Sequence, residues 1–341
     1  MYQTLGRVTL KTDESVEAGL VICPDLEWAD RILALLAHKD YLTTWQNRTV
    51  LTESLDIETY FYVLHRDGVP FANIMTVELS GVGILGHVWT TEAERQKGAS
   101  SGLMALQMAH FRERGGQALF LVTGYESPAY WMYQKMGFES IEPGSRYMAY
   151  YTTTQDQFEE TYFHAQAGAT EIQPFGWSCW PSSSALFAGD FPGLVRSAPL
   201  GLIGRMITED PFLPLLYDAS LRQQEHEPPC AIALRSLTTG AVLGLALWKW
   251  HPIWPDTCLI DCYVHPNFWE RAPELYQALT LPEAHRYIAY VDEGFTQKRD
   301  LLHSLGFHPT VTLKGYVSTS ALKTNFADVL VFEKASGSSE R

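Results

Sequence analysis

Residues 87–103 read HVWTTEAERQKGASSGL: the end of an apolar strand, a short polar loop and the opening of a helix. Gly98, Ala99, Ser100 and Ser101 are small enough for the backbone to approach a ligand closely. The N–H groups of a helix's first turn have no partner inside the helix and point at whatever sits there. Together with the helix dipole they make an anion site suited to a pyrophosphate. Arg95 and Lys97 place positive charge beside it. An ordinary strand-to-helix turn looks the same, so the loop alone leaves both readings open.

Outward from this loop, the first half alternates strand-like and helix-like segments. VGILGHVWT before the loop reads as a strand, and Leu103, Leu106, Met108 and Phe111 after it mark an amphipathic helix from Ala99 to Arg114, ended by Gly115-Gly116. Upstream, LVICP near position 20 is a strand and LEWADRILALLAH a helix. ETYFYVLHRDGVPFANIMTVELSG is a hairpin turning at Arg66–Pro70. Downstream, ALFLVT is a short buried strand, AYWMYQKM a short helix, and FESIE and RYMAYY are two closing strands.

Arg95, Gly98 and Ser100 resemble the loop Arg/Gln-x-x-Gly-x-Gly/Ala of the GNAT superfamily of N-acetyltransferases, with Ser at the final small position. Ala129 to Tyr133, followed by Met136-Gly137-Phe138, is similar to that family's A-x-x-x-Y-x-x-x-G-F signature, and a hairpin and strand precede the loop as in that fold. The resemblance spans roughly residues 20–150. It implies direct attack of a substrate amine on the thioester of acetyl-CoA or another acyl-CoA. Arg95, Gln96, Lys97, Gly98, Ala99, Ser100 and Ser101 would then hold the pyrophosphate. Val88, Trp89 and Thr90 would pair with the pantetheine arm and polarise the thioester carbonyl. Tyr133 would be the general acid that protonates the departing thiolate, a thiol of pKa about 8.5 leaving more easily when a hydroxyl donates to it. A core aromatic on a short helix is the competing reading of Tyr133. His87 is the candidate base, with Glu78 and Glu92 near it in sequence; alternation would set its side chain opposite that of Val88, and a structural role fits it equally. Where the family often carries Asn, this chain has Glu126, with Ser127 next to it.

The second half repeats the same order. AIALRS and AVLGLALWKW flank Thr238-Thr239-Gly240, LIDCYVHP is a strand, ERAPELYQAL a helix, RYIAYV a strand, KRDLLHSLGF a helix ending in Gly-Phe, and ADVLVFEK a last strand. Residues 151–170 have no clear period. The expected organisation is therefore α/β (α+β): two tandem GNAT-like domains, 1–152 and 168–335, each a mixed central sheet flanked by helices, with a disordered tail at 336–341. In the second copy the loop reads WERAPE. Ala272 stands for Gly98, Pro273 removes a backbone donor, Glu274 brings negative charge where phosphates would sit, and Leu302 stands at the position of Tyr133. This copy is expected to bind no CoA and resembles the degenerate partner of tandem acetyltransferases. Trp248, Trp250, Trp254 and Trp269 either line an acceptor cleft or pack internally, and Asp261 and His265 are structural or acceptor-side.

The bulk numbers agree with two domains, since 341 residues exceed the roughly 150 of one. The amino terminus lacks the apolar run of a signal peptide, and nowhere are there the ~18 uninterrupted apolar residues of a membrane span. Five cysteines without a CxxC pair point away from disulfides and structural zinc and toward a reducing cytoplasm; no metal is expected. A net charge of −14 argues against non-specific nucleic-acid binding; it favours cationic amines or serves solubility alone. The expected activity is N-acylation, most simply N-acetylation, of a small-molecule or peptide amine. The alternatives are a module that senses acyl-CoA without turnover and a protein lysine or N-terminal acetyltransferase. Tyr133 favours the enzyme, because a sensor needs the loop but not the acid. Acceptor identity, acyl length and oligomeric state have no readable code.

Overall fold

The computed structural model describes residues 1–164 and 169–335. The chain divides into two compact units, one of residues 1–139 and 146–158, the other of residues 140–145 and 159 onward. The first contains β1 (Tyr2–Thr9), β2 (Ser15–Ile22), α1 (Leu26–Leu35), α2 (Tyr41–Thr52), β3 (Glu58–Arg66), β4 (Val69–Leu79), β5 (Val82–Thr90), α3 (Ala99–Glu113), β6 (Ala118–Val122) and α4 (Pro128–Lys135). A two-residue β7 (Glu139–Ser140), β8 (Tyr147–Tyr151) and a linking α5 (Gln155–Tyr162) follow. The second unit contains β9 (Thr170–Pro174), α6 (Trp180–Ala188), β10 (Val195–Ser197), β11 (Leu202–Ile203), α7 (Glu209–Glu225), β12 (Ala231–Ser236), β13 (Val242–Trp250) and β14 (Thr257–Val264). It ends with α8 (Ala272–Ala278), β15 (Arg286–Asp292), α9 (Thr296–Ser304), β16 (His308–Ser318) and β17 (Phe326–Ala335). The tail expected at 336–341 lies outside the described residues.

The first sheet runs β1-β2-β3-β4-β5-β6-β8-β7, and the second runs β16-β17-β15-β14-β13-β12-β9. From β3 onward the first sheet has the order of the second: a hairpin, a third antiparallel strand, one parallel neighbour, then two closing strands in swapped order. The sole parallel pairs among the described ladders are β5 with β6 and β14 with β15. The β3–β4 hairpin is dictated locally. Asp67 (φ 49°) and Gly68 (φ 79°) both take left-handed backbone between the paired residues Arg66 and Val69, the two-residue Asp-Gly turn whose twist matches its strands.

In the first unit α3 lays Leu103, Met104, Met108 and Phe111 on Tyr62, Ile74 and Leu119 of the sheet. Each such side chain stabilises the unit by roughly 1.5–3 kcal/mol relative to exposure. The helix α2 lies near β4 as well, Gln46 Nε2 meeting Met75 Sδ at 3.6 Å. It has no legible apolar stripe because its buried face carries Thr43, Gln46, Asn47 and Thr49 beside Val50 and Leu51. The helix α6 was illegible for the opposite reason: all nine of its residues are buried, so no polar face marks its period. Of the two closing strands, FESIE is reduced to the two residues of β7.

One expectation is corrected. Met75 pairs with Gly86 and Asn73 with Trp89, so His87 and Val88 together oppose the single residue Ile74. This is a β-bulge, with His87 in left-handed backbone at φ 54°. Simple alternation therefore does not hold across His87 and Val88, and the extra residue re-aims the imidazole. In the second unit Trp248 is buried, its Nε1–H donating to Thr280 O at 3.0 Å, and Trp269 packs on Phe295 at 5.0 Å. Trp250 and Trp254 are exposed. The His265 ring stacks on Phe163 at 4.3 Å, a packing role. No helix of the described residues is long and apolar enough to cross a membrane.

Glu78 of β4 is wholly buried and accepts from Arg114 Nη2 at 2.8 Å. Burial pushes its carboxyl upward while Arg114 pulls it back. The substitution Arg114→Met leaves that carboxyl without its cation and is expected to cost about 3 kcal/mol near neutral pH. The variant's Glu78 then holds a proton more tightly folded than unfolded, so stability falls as pH rises through its folded pKa. Urea midpoints at pH 5 and pH 8 check this: the deficit against the parent protein is expected to be smaller at pH 5.

Candidate functional site

The ladder between β5 and β6 consists of three pairs, Val82 with Ala118, Gly83 with Leu119 and Ile84 with Phe120. Beyond Ile84 the two strands separate. Both are parallel, so β5 delivers the chain into the 91–98 loop and α3, and β6 delivers it into α4, at the same end of the sheet. Ligands of open α/β sheets bind in such crevices, outside the carboxyl ends of the strands. Val88 and Trp89 are partly exposed there, while Thr90 is buried.

The loop has the features of an anion cradle. Gln96 (φ 64°) and Gly98 (φ 86°) are both left-handed, a conformation that gathers successive N–H groups into a concave nest. A side chain at Gly98 would meet Lys11 alone, Cγ at 3.6 Å and Cε at 3.9 Å, so glycine is required there by its backbone angle and not by crowding. The helices α1, α2 and α4 are capped by the side chains of Asp25, Asp40 and Ser127, whereas α3 has no side-chain cap. The first-turn N–H groups of Ala99, Ser100 and Ser101 are therefore left for a ligand or water. Thr90 Oγ1 and Ser100 Oγ, 2.8 Å apart, tie the strand end to the helix start, and Lys97 O accepts from Lys11 N at 2.9 Å.

The cations are arranged less simply than the sequence suggests. Arg95 donates from Nε to Thr90 O at 3.2 Å and lies over the Trp89 ring at 4.6 Å; the His38 ring also stacks on Trp89, at 3.8 Å. Lys97 pairs with Glu94 at 3.3 Å, and Glu94 also binds Arg66. Lys11, whose stem passes Gly98, is a cation at the loop that the sequence reading missed. It lies far from the motif in the chain, and no pattern announces it. Among the described residues no group of three or more His, Cys, Asp or Glu could hold a metal ion.

His87 is brought to the same end of β5 by the bulge. Asn47 Nδ2 contacts His87 Nδ1 at 3.1 Å, and Asn73 Nδ2 donates to His87 O at 2.9 Å. Burial pushes the imidazole down to about 3, with smaller effects of Lys39, Asp40 and His38. Asn47 and Asn73 were not singled out in the sequence. Asn73 has one signal, its place inside an otherwise apolar strand, FANIM; Asn47, in the polar sequence of α2, has none.

Tyr133 lies on α4, 6% exposed, with its ring edge-on to Phe138 at 5.9 Å. The end of α4 explains the spacing of its signature. Gly137 is left-handed (φ 95°), its N–H donates to Gln134 O, and Phe138 N–H donates to Tyr133 O. These are the two bonds of a Schellman cap, with its usual apolar contact between the residues it joins. The second unit repeats both bonds, Gly306 N–H to His303 O and Phe307 N–H to Leu302 O. The spacing is thus a helix-capping requirement, and only the residue type, Tyr133 against Leu302, separates the copies.

The matching crevice of the second unit is filled by its own chain. The ladder of β14 and β15 also ends after three pairs, at Leu259 with Ile288. Ala198 N–H donates to Asp261 Oδ2 at 2.9 Å, and Leu194 and Val195 N–H both donate to Asp292 Oδ1 at 2.8 Å. Lys298 Nζ, buried, binds Asp261 Oδ1 at 2.6 Å and Val195 O at 2.8 Å. Arg196, also buried, donates to the carbonyls of Phe187, Gly189, Phe191 and Gly193. Cys262 and Tyr263 are buried where Val88 and Trp89 are partly open. The helix α8 starts from a right-handed Arg271 with Pro273 in its first turn, without the left-handed nest.

Residues 72–147 match the family model described as FR47-like protein, a GNAT-type domain. The match covers the loop, α3 and α4, the segments that carry the motif resemblance. Among solved structures, the chain is similar to an N-acetyltransferase from Staphylococcus aureus Mu50 at 15% identity, covering 49% of this chain and 99% of that one, TM-score 0.34. The structure of yncA, a putative acetyltransferase from Salmonella typhimurium with its cofactor acetyl-CoA, matches at 18% identity over 49% of this chain and 94% of that one, TM-score 0.33. The GNAT domain of S. lividans PAT matches at 12% identity over 43% and 96%, TM-score 0.34. No curated protein matches the chain.

The filled crevice yields a stability prediction. The substitution Lys298→Met leaves the buried Asp261 carboxyl without its ion pair and is expected to destabilise the second unit by about 3–5 kcal/mol. Urea unfolding checks the magnitude, and faster proteolytic cleavage within residues 193–203 is the expected local sign.

Proposed function

We propose that the first domain, placed at residues 1–152, binds an acyl-CoA in the β5–β6 crevice and transfers its acyl group to an amine. The second domain, placed at residues 168–335, is proposed as a degenerate copy that holds none. The observation that carries this reading is the uncapped start of α3 behind a left-handed Gln96–Gly98 nest, set beside a half-open strand end. The backbone N–H groups from Gln96 to Ser101 would hold the pyrophosphate, with Lys11 adding charge that Lys97 and Arg95 share with Glu94 and Trp89. The edge of β5 beyond Ile84, unpaired by β6, would bond the pantetheine arm.

Acyl-CoA supplies an activated thioester. Backbone donors at Val88–Thr90 would stabilise the negative charge that develops on its carbonyl oxygen. The amine nitrogen forms its bond to the acyl carbon and the carbon–sulfur bond breaks. The thiolate takes a proton from the Tyr133 hydroxyl, and the amine loses one to water. An imidazole pushed down to about 3 stays neutral in the working range but matches an ammonium poorly as a base. His87 is therefore assigned to the acceptor side without the task of storing that proton. The acceptor is proposed to be a small-molecule or peptide amine, for which an acidic chain of net charge −14 is a favourable field.

A second reading keeps acyl-CoA binding and drops turnover, so that the domain senses the ligand. It is favoured by the near burial of Tyr133 and by the capping role of its spacing.

Titration of the full chain with acetyl-CoA is expected to give one site per chain. The substitution Tyr133→Phe is expected to lower the rate of thiol release about 100-fold, the scale of a lost general acid, while acetyl-CoA affinity stays within about twofold. Tight binding without thiol release from any of a panel of amines would instead support the sensing reading.

A further inference from the structure

Two buried asparagines from different elements grip one residue of the bulge. Asn47 of α2 and Asn73 of β4 are each about 1% exposed. One reaches the His87 ring and the other its carbonyl. His87 needs such support, because φ 54° is a conformation that residues with a Cβ adopt at a cost. Asn47 Nδ2 carries only donors, so the ring nitrogen facing it must be the acceptor. The proton of the neutral imidazole then sits on Nε2, which makes no bond among the described residues, on a residue that is itself not fully enclosed.

We infer that Asn47 and Asn73 are positioning residues that hold His87 as the Nε2–H tautomer, so that it serves the acceptor side as a neutral hydrogen-bond donor and not as a base. The ligand group it suits is an oxygen acceptor, a carbonyl or carboxylate, on the bound substrate. The charged and titratable groups facing the ring are His38, Lys39 and Asp40 of the α1–α2 turn. Lys39 and His38 oppose protonation, and Asp40 is engaged in capping α2. Asn47 and Asn73 do not titrate. The carbonyls Gln46 Oε1, Asn47 Oδ1 and Asn73 Oδ1 are buried without partners, so none of them takes the His87 Nε2–H, which stays available to a ligand. The assignment of His87 to the acceptor side rests on the acyl-transfer reading; its tautomer does not.

The test is 15N-detected histidine NMR on the full chain, with thiol-release kinetics alongside. The parent protein is expected to show His87 as the Nε2–H form, without titration from pH 5 to pH 8. In Asn47→Asp the carboxylate can only accept, so the proton moves to Nδ1 and the ring titrates within that range. The same variant is expected to lose at least about tenfold in kcat while KM for acetyl-CoA stays within about twofold. His87→Gln, which keeps a side-chain N–H donor, is expected to retain more activity than His87→Ala. An Nδ1–H tautomer or a protonated ring at pH 6 in the parent protein overturns the inference, and that result does not depend on any variant folding. If the Nε2–H form is found but no amine releases thiol, the clamp stands and the acyl-transfer reading falls.

Discussion

Everything at the candidate site depends on a ladder that stops. Two parallel strands exchange backbone bonds over three residue pairs and then part, in both units, leaving polar main-chain groups along the inner edges. Buried N–H and C=O groups must find partners, so an opening of this kind is either wetted, filled by a ligand or filled by the chain. The second unit takes the last course. Residues 192–203 enter the gap and are fastened by Asp261, Asp292 and Lys298. In the first unit the corresponding strand end stays partly open.

That contrast links the loop to the strand. A left-handed nest and an uncapped helix start are useful only next to space for a ligand, and in the first unit they adjoin the open end of β5. In the second, Pro273 and a right-handed Arg271 close off the nest where the crevice is already occupied. The absence of a left-handed nest and the filling of the crevice are separate physical features at one end of one sheet. Either alone would disfavour a pyrophosphate.

The helix that carries Tyr133 shows how a local motif can be read two ways. The run from Tyr133 to Phe138 is a Schellman cap, a backbone need that any helix ending in Gly-Phe can meet, and α9 meets it with Leu302. The signature locates the end of a helix because capping is local. It does not by itself assign chemistry to the residue that opens it. Tyr133 is set apart by its hydroxyl and by which crevice its helix borders.

The sequence by itself determined the elements whose causes lie within a few residues. These are the Asp-Gly hairpin, the small-residue loop into α3, the Gly-Phe caps, and the repetition of one strand order in two halves. It also marked WERAPE as ill suited to an anion, because a proline's missing N–H and a glutamate's charge need no fold to be counted. The helices α2 and α6 were hidden, one by a buried polar face and the other by having no exposed face. Only the tertiary structure decided the bulge at His87, since a single extra residue in one strand is defined by its partner strand. It alone brought Asn47 and Asn73 to that residue from 40 and 14 positions away and set Lys11 against Gly98. The filling of the second crevice likewise depends on contacts between residues some 60 to 100 positions apart. Such contacts follow from packing, which no local pattern encodes.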